Sequence, residues 1–209
     1  MKEKDVSLME HKPCFNRKDS DEFKYETFTW KGPYSWPEYE KNESEKIPNV
    51  SGVYLWTFKY KEGYLIYLAG ATTSMKRRFK EHTKEFESGN YYILDVDSAM
   101  KGERQEHWYW NGAQKYPEEF DKRKDHIFNC MKKQLQSMHI FVSEIPKEYQ
   151  YRMEATIMHG LYYSKEKWSE LADRGMKLDK VRNNDESPII ARNILENQDV
   201  KKIYGLFDE

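Results

Sequence analysis

Two extended runs joined by a short turn constrain this fold more than any other feature. Residues 52–59 and 64–69 are rich in β-branched and aromatic side chains, and Lys61-Glu62-Gly63 lies between them. Such a pattern predicts an antiparallel hairpin. Thr72-Thr73-Ser74 follows at once, and hydroxyl residues of this kind cap the start of a helix. That helix should reach about Glu87 and stop at Ser88-Gly89. Along it Met75, Phe79, His82 and Phe86 recur at steps of four, three and four, so they share one face that packs on the sheet.

The rest of the chain reads as alternating pieces. Residues 23–36 carry Phe28, Trp30, Trp36 and Gly32-Pro33, which suggests an extended segment laid on the core as an accessory layer. Residues 91–96 read as a third strand. The run His107-Trp108-Tyr109-Trp110 suits either a core or a surface that stacks on bases, and core is favoured. A helix is expected over 117–138, a short strand over 139–145 and a helix over 147–163, with Met153, Ile157 and Leu161 in one row. Beyond it, 168–172 is expected to be helical, 175–185 a loop and 188–194 an edge strand. The order of elements is that of an α+β protein.

At 209 residues the chain can build one domain with a real core. Charged residues make up 34% against 38% hydrophobic, with a mean hydropathy of −1.04, so that core must lean on 16 Tyr, 10 Phe and 6 Trp. The first 20 residues or so offer little to bury and are expected to be disordered. No apolar run approaches the roughly 20 residues that span a bilayer, and residues 1–10 lack a signal-peptide core, so a cytoplasmic protein without a membrane partner is expected. Cys14 and Cys130 stand far apart, with no CxxC pair and no Cys/His cluster, which argues for ordinary thiols rather than a zinc site or a disulfide.

A net charge of −1 does not by itself announce a nucleic-acid partner. Local charge says more. Between Ser74 and Lys84 stand Lys76, Arg77, Arg78, Lys80 and Lys84 against Glu81 alone, a net of +4. A run like this is often a solvated helix face, yet beside paired tyrosines it also suits a phosphate-tracking surface. Tyr54 and Tyr67 on neighbouring strands, with Arg78 and His82 one turn apart on the next helix, fit a phosphodiester-cutting site, which needs a positioned water, a base and cations. Glu154, an acid among apolar positions of its helix, is the candidate metal carboxylate; pairing with Arg152 or a lysine at the rim is the competing reading. His82, likewise, suits either a catalytic group or a half-buried core histidine.

These residues resemble the GIY-YIG nuclease family. Gly52-Val53-Tyr54 stands for the first motif, Tyr67-Leu68-Ala69 for the second, Arg78-x3-His82 for the helical element and Glu154 for the metal-binding glutamate, over roughly residues 51–163. The resemblance implies a small antiparallel sheet flanked by helices. It divides the chain into an N-terminal extension (1–48), a catalytic core (49–165) with an insertion at about 97–137, and a C-terminal extension packed on the core (166–209). It also implies a DNA endonuclease, restriction-type by its size, using Mg2+ or Mn2+ held by Glu154. Tyr54 would be the general base, activated by His82 or by Lys61; Arg78, or Arg77 on a rotated helix, would bind the phosphate, and Tyr67 would orient water or phosphate. The family's late asparagine has three candidates, Asn183, Asn184 and Asn193, of which Asn193 is favoured. Two departures matter: Ala69 stands where the family has glycine, with Gly70 one place on, and about 70 residues separate His82 from Glu154. The first calls for a bulge or local shift, and leaves a catalytically inactive nucleic-acid-binding protein as the alternative. A single active site per chain suits either a homodimer or two successive nicks.

Overall fold

The computed structural model describes residues 24–39, 46–173 and 189–206. The first 20 residues and the loop expected at 175–185, with Asn183 and Asn184, lie outside them. Strand β1 (Lys24–Ser35) is followed by β2 (Gly52–Tyr60), β3 (Gly63–Thr72) and helix α1 (Met75–Glu87). Next come β4 (Ile93–Leu94), α2 (Val96–Ala99), β5 (Glu106–Trp108), α3 (Gly112–Lys115) and α4 (Pro117–Ser137). The chain then runs through β6 (Met138–Glu144), α5 (Lys147–Tyr163), a 3-10 turn (Lys167–Leu171), β7 (Ile189–Leu195) and β8 (Ile203–Tyr204). Among these residues no helix is long and apolar enough to cross a membrane.

The architecture is α+β, but the sheet is larger than a small antiparallel one. Six strands lie in the order β7-β1-β6-β2-β3-β8. The four central strands pair antiparallel, while β7 joins β1 and β8 joins β3 in parallel. Residues 24–35 are therefore a strand inside the sheet rather than an accessory layer. The side chains say why: Phe28 and Trp30 are buried while Thr27, Thr29 and Lys31 are exposed, an alternation that a two-neighbour strand with one covered face produces. Its partners, β6 and β7, lie more than 100 residues away, beyond the reach of local pattern. Residues 91–96 differ too. Only Ile93–Leu94 is strand, and it pairs with β5 in a separate ribbon; Asp95 then caps α2 by accepting from the Ser98 N–H.

Both faces of the large sheet are covered. Tyr54, Trp56, Leu65 and Tyr67 pack with Phe79 and Phe86 of α1 and with Ile127, Met131 and Leu135 of α4. On the opposite face Val53, Leu55, Ile66 and Ala69 pack with Met153, Ile157, Met158 and Leu161 of α5. One irregularity interrupts the hairpin. Trp56 pairs with Leu68 and Thr57 with Ile66, so Tyr67 is an extra residue in β3, a β-bulge.

The β2–β6 pairing is close enough to be tested by one methyl group. A Cβ on Gly52 would sit 1.9 Å from the Ser143 carbonyl oxygen. Gly52→Ala is expected to lower unfolding stability by about 2–4 kcal/mol in a urea titration; an unchanged midpoint would show that this register is wrong.

Candidate active site

The start of α1 aims its side chains. Asn49 accepts from Ser74 Oγ at 2.9 Å and from the Lys76 N–H at 3.1 Å, and Ser74 Oγ in turn accepts from the Arg77 N–H. With the first turn held in this way, Phe79, His82 and Phe86 face the sheet. His82 Nε2 lies 2.7 Å from the Tyr54 hydroxyl, and Arg78 Nε donates to the same oxygen at 3.4 Å. The other imidazole nitrogen, Nδ1, is 2.9 Å from the Tyr91 hydroxyl. Arg78 cannot accept, so its N–H on the phenol oxygen favours the Tyr54 proton pointing to His82 Nε2 and the His82 proton on Nδ1 pointing to Tyr91.

Tyr54 lies across β3 at a place where no side chain fits. A Cβ on Gly70 would be 2.2 Å from its hydroxyl. Ala69, one place earlier, turns to the other face, fully buried, and its N–H donates to Met158 Sδ at 3.1 Å. The bulge at Tyr67 sets this phase, so glycine meets the ring and alanine meets α5.

Burial dominates the electrostatics. It pushes the Tyr54 phenol well above its usual range, and Arg78 only partly opposes this. His82 is lowered well below the ordinary imidazole value, first by burial and then by Arg78, so it is neutral and its bare Nε2 can accept the Tyr54 hydrogen bond. Glu154 on α5 is pushed up to about 7, chiefly by burial, with the Ala71 N–H and Arg78 pulling the other way. Its Oε2 accepts from that N–H at 2.6 Å. Tyr67 donates to Asp173 Oδ2 at 3.3 Å, and burial followed by the Asp173 charge keeps its phenol protonated. Behind them Arg104 stacks 4.8 Å over Tyr92 and bonds Glu106 at 2.6 Å.

A cleft of about 440 Å³ joins these groups. Tyr54, Tyr67, Arg77, Arg78, His82 and Glu154 all line it, together with Tyr91, Trp110 and Asp173. Of the two arginines, Arg78 alone touches Tyr54, while both pair with Glu81, Arg78 at 3.4 Å and Arg77 at 3.6 Å. Asn193 is elsewhere. It stands on β7 with β1 and β6 between it and β2, and its Oδ1 accepts from the Trp30 indole at 2.8 Å, a packing role. Lys61 is likewise away from the cleft, 5.2 Å over the Tyr60 ring at the hairpin turn. Between the two groups weighed for activating Tyr54, His82 is the one in contact. Lys76 and Lys80 line a second groove on the outer side of α1, with Lys84 exposed at its end.

Sequence pattern gave no notice of Asp173 or Arg104. Asp173 follows a 3-10 turn with no motif around it, and its N–H reaches the Tyr67 carbonyl at 2.9 Å only through tertiary packing. Tyr91 carried a weak signal, an aromatic placed just past the helix stop that anchors His82. The His107-to-Trp110 run splits: Trp108 is fully buried, whereas Tyr109 and Trp110 are 48% and 42% exposed. Trp110 stacks on Tyr91 at 5.0 Å and forms one wall of the cleft. No protein-family model, curated protein or solved structure matches this chain.

The raised Glu154 value has a sign that can be checked. Between pH 4.5 and about 7 the unfolded chain has released this proton while the folded chain keeps it, so stability contributed here falls as pH rises through that window. Glu154→Gln is expected to flatten that part of the stability–pH curve, read by thermal or urea unfolding. A curve of identical shape would place the carboxyl in open water.

Proposed function

We propose that this protein is a GIY-YIG-type endonuclease, restriction-type in its compact size, that hydrolyses DNA phosphodiester bonds with one Mg2+ or Mn2+ ion. The observation that carries the reading is the 2.7 Å contact of Tyr54 with His82, made beside Arg78 in a cleft whose other wall holds Glu154. The bulge-shifted Gly70 supports the reading, because it supplies a close approach to Tyr54 that a side chain would block.

The donor set suits a hard divalent cation. Among the described residues the Glu154 carboxyl has one hydrogen-bond donor, the Ala71 N–H, and burial raises its proton affinity despite the Arg78 charge. Magnesium takes one or two carboxylates and keeps several waters, so Glu154 suffices and Asp173 is a second acid in the same cleft. When bound, the ion supplies Lewis-acid stabilisation of charge on the phosphoryl oxygens.

The chain's own residues then have definite tasks. Tyr54 as a standing phenolate is ruled against by its burial, so it works as a relay: its hydroxyl proton passes to neutral His82 Nε2 as it takes a proton from the attacking water. The water oxygen bonds to phosphorus in line with the leaving oxygen, which departs and is protonated by solvent. Arg78 holds the transferring phosphate through guanidinium N–H groups and stabilises the charge that develops. Tyr91 fixes the imidazole from its far side at 2.9 Å. Tyr67, held by Asp173, shapes the floor.

Nicking of supercoiled plasmid under a Mg2+ or Mn2+ titration tests the reading. Wild type should cut; Glu154→Gln should lose at least about a hundredfold in rate while retaining DNA binding, and Tyr54→Phe should lose about 10²–10⁴-fold. DNA binding without cutting at any concentration of either ion would instead leave a nucleic-acid-binding protein on this fold. Ionised Glu154 and neutral His82 are both required, so the cutting rate should climb with pH below about 7, a limb displaced to lower pH as the ion concentration rises. Lys84→Ala, on the exposed helix end, should weaken binding and reduce the slope of log K against log salt by about 1.

A further inference from the structure

We propose that His107, His126 and Cys130 form a second metal site, specific for a thiophilic divalent ion of the zinc class, on the insertion outside the cleft. Sequence spacing argued against any Cys/His cluster; folding makes one. His126 and Cys130 lie four apart on α4 and share a face, and β5 brings His107 against them. One ligand atom from each of the three lies within 4.8 Å of the others.

One distance already suits coordination. Zinc bonds of about 2.3 Å to sulfur and 2.0–2.1 Å to nitrogen, at a tetrahedral angle, put the two ligand atoms about 3.6 Å apart. Cys130 Sγ and His126 Nε2 are 3.7 Å apart. The two imidazoles stand nearly perpendicular, 5.6 Å between centroids, so their edges converge without stacking. Asp95 Oδ2, 3.3 Å from His107 Nε2, adds a carboxylate at the same corner. Metal-bound histidines lean on such a carboxylate, and with the Cys130 thiolate its charge balances a dication.

Ligand softness separates this site from the cleft. One thiolate and two imidazoles select zinc, cobalt or copper over magnesium, whereas the oxygen set around Glu154 selects the reverse. His126 is exposed and the other two are half-exposed, so an ion can enter from solvent. Binding ties β5 to α4 and releases the thiol proton. Three residues past His107 the strand's extension delivers Trp110 to the wall of the cleft, where it stacks on Tyr91. The ion therefore acts as a staple for the insertion that bears that wall.

Chelator-treated full-length protein titrated with Co2+ tests this. A thiolate-to-cobalt charge-transfer band in the near ultraviolet should grow to one ion per chain and bleach when Zn2+ is added. It should be absent from Cys130→Ser, His126→Ala and His107→Ala, each compared by circular dichroism with wild type, and persist in Cys14→Ser. Glu154→Gln should keep the band, so failure of the nuclease reading leaves this result untouched. Zn2+ at a hundredfold excess over its Kd should raise the wild-type Tm by about 5–10 °C and the Cys130→Ser Tm far less. No band in wild type, or a band of full strength in Cys130→Ser, would falsify the site.

Discussion

The hydroxyl of Tyr54 is the point on which the site depends. A phenol oxygen buried in an aromatic core must find hydrogen-bond partners or cost several times the net worth of a hydrogen bond. It finds them in His82 and Arg78, both from one face of α1. That single requirement fixes the rotation of the helix against the hairpin. It also explains a glycine in the middle of a strand: Gly70 is where the ring crosses the backbone. Trp36, Trp56, Phe79 and Phe86 pack beside the pair with ring centroids 5.0–5.8 Å apart, an aromatic backing to the Tyr54–His82 contact.

The cleft draws its two walls from opposite sides of the sheet. Tyr54, Tyr67 and His82 belong to the face covered by α1 and α4, while α5 packs on the reverse face. Glu154 enters near the end of β3, where its carboxylate takes the Ala71 N–H. The Tyr54–His82 pair and Glu154 are thereby held by different packing layers, each with its own apolar contacts.

The segment between His82 and Glu154 is more than a spacer. It contributes Tyr91 and Trp110 to the cleft and carries its own cluster of imidazoles and a thiol on the outer side. With both proposed sites filled, hard oxygen ligands within and soft sulfur and nitrogen ligands without would keep two metals apart by ligand chemistry alone.

Much was legible in the residues. The hairpin, α1 with its stop at Ser88-Gly89, α4, β6 and α5 all follow from period, caps and turn residues acting over a few positions. So does the placing of Arg78 and His82 on one helix face, since a four-residue step is a property of the helix itself. What local pattern could not state was any relation between distant segments. That β1 lies between β6 and β7, that Asn193 serves Trp30, that Asp173 meets Tyr67 and that His107 meets Cys130 depend on strand pairing and packing across tens to more than a hundred residues. The sequence by itself determined the local conformations and the stock of chemical groups, because dihedral preference and side-chain period are short-range. The tertiary structure alone decided which groups meet and how far burial displaces their proton affinities, because both depend on neighbours that only the closed core brings together.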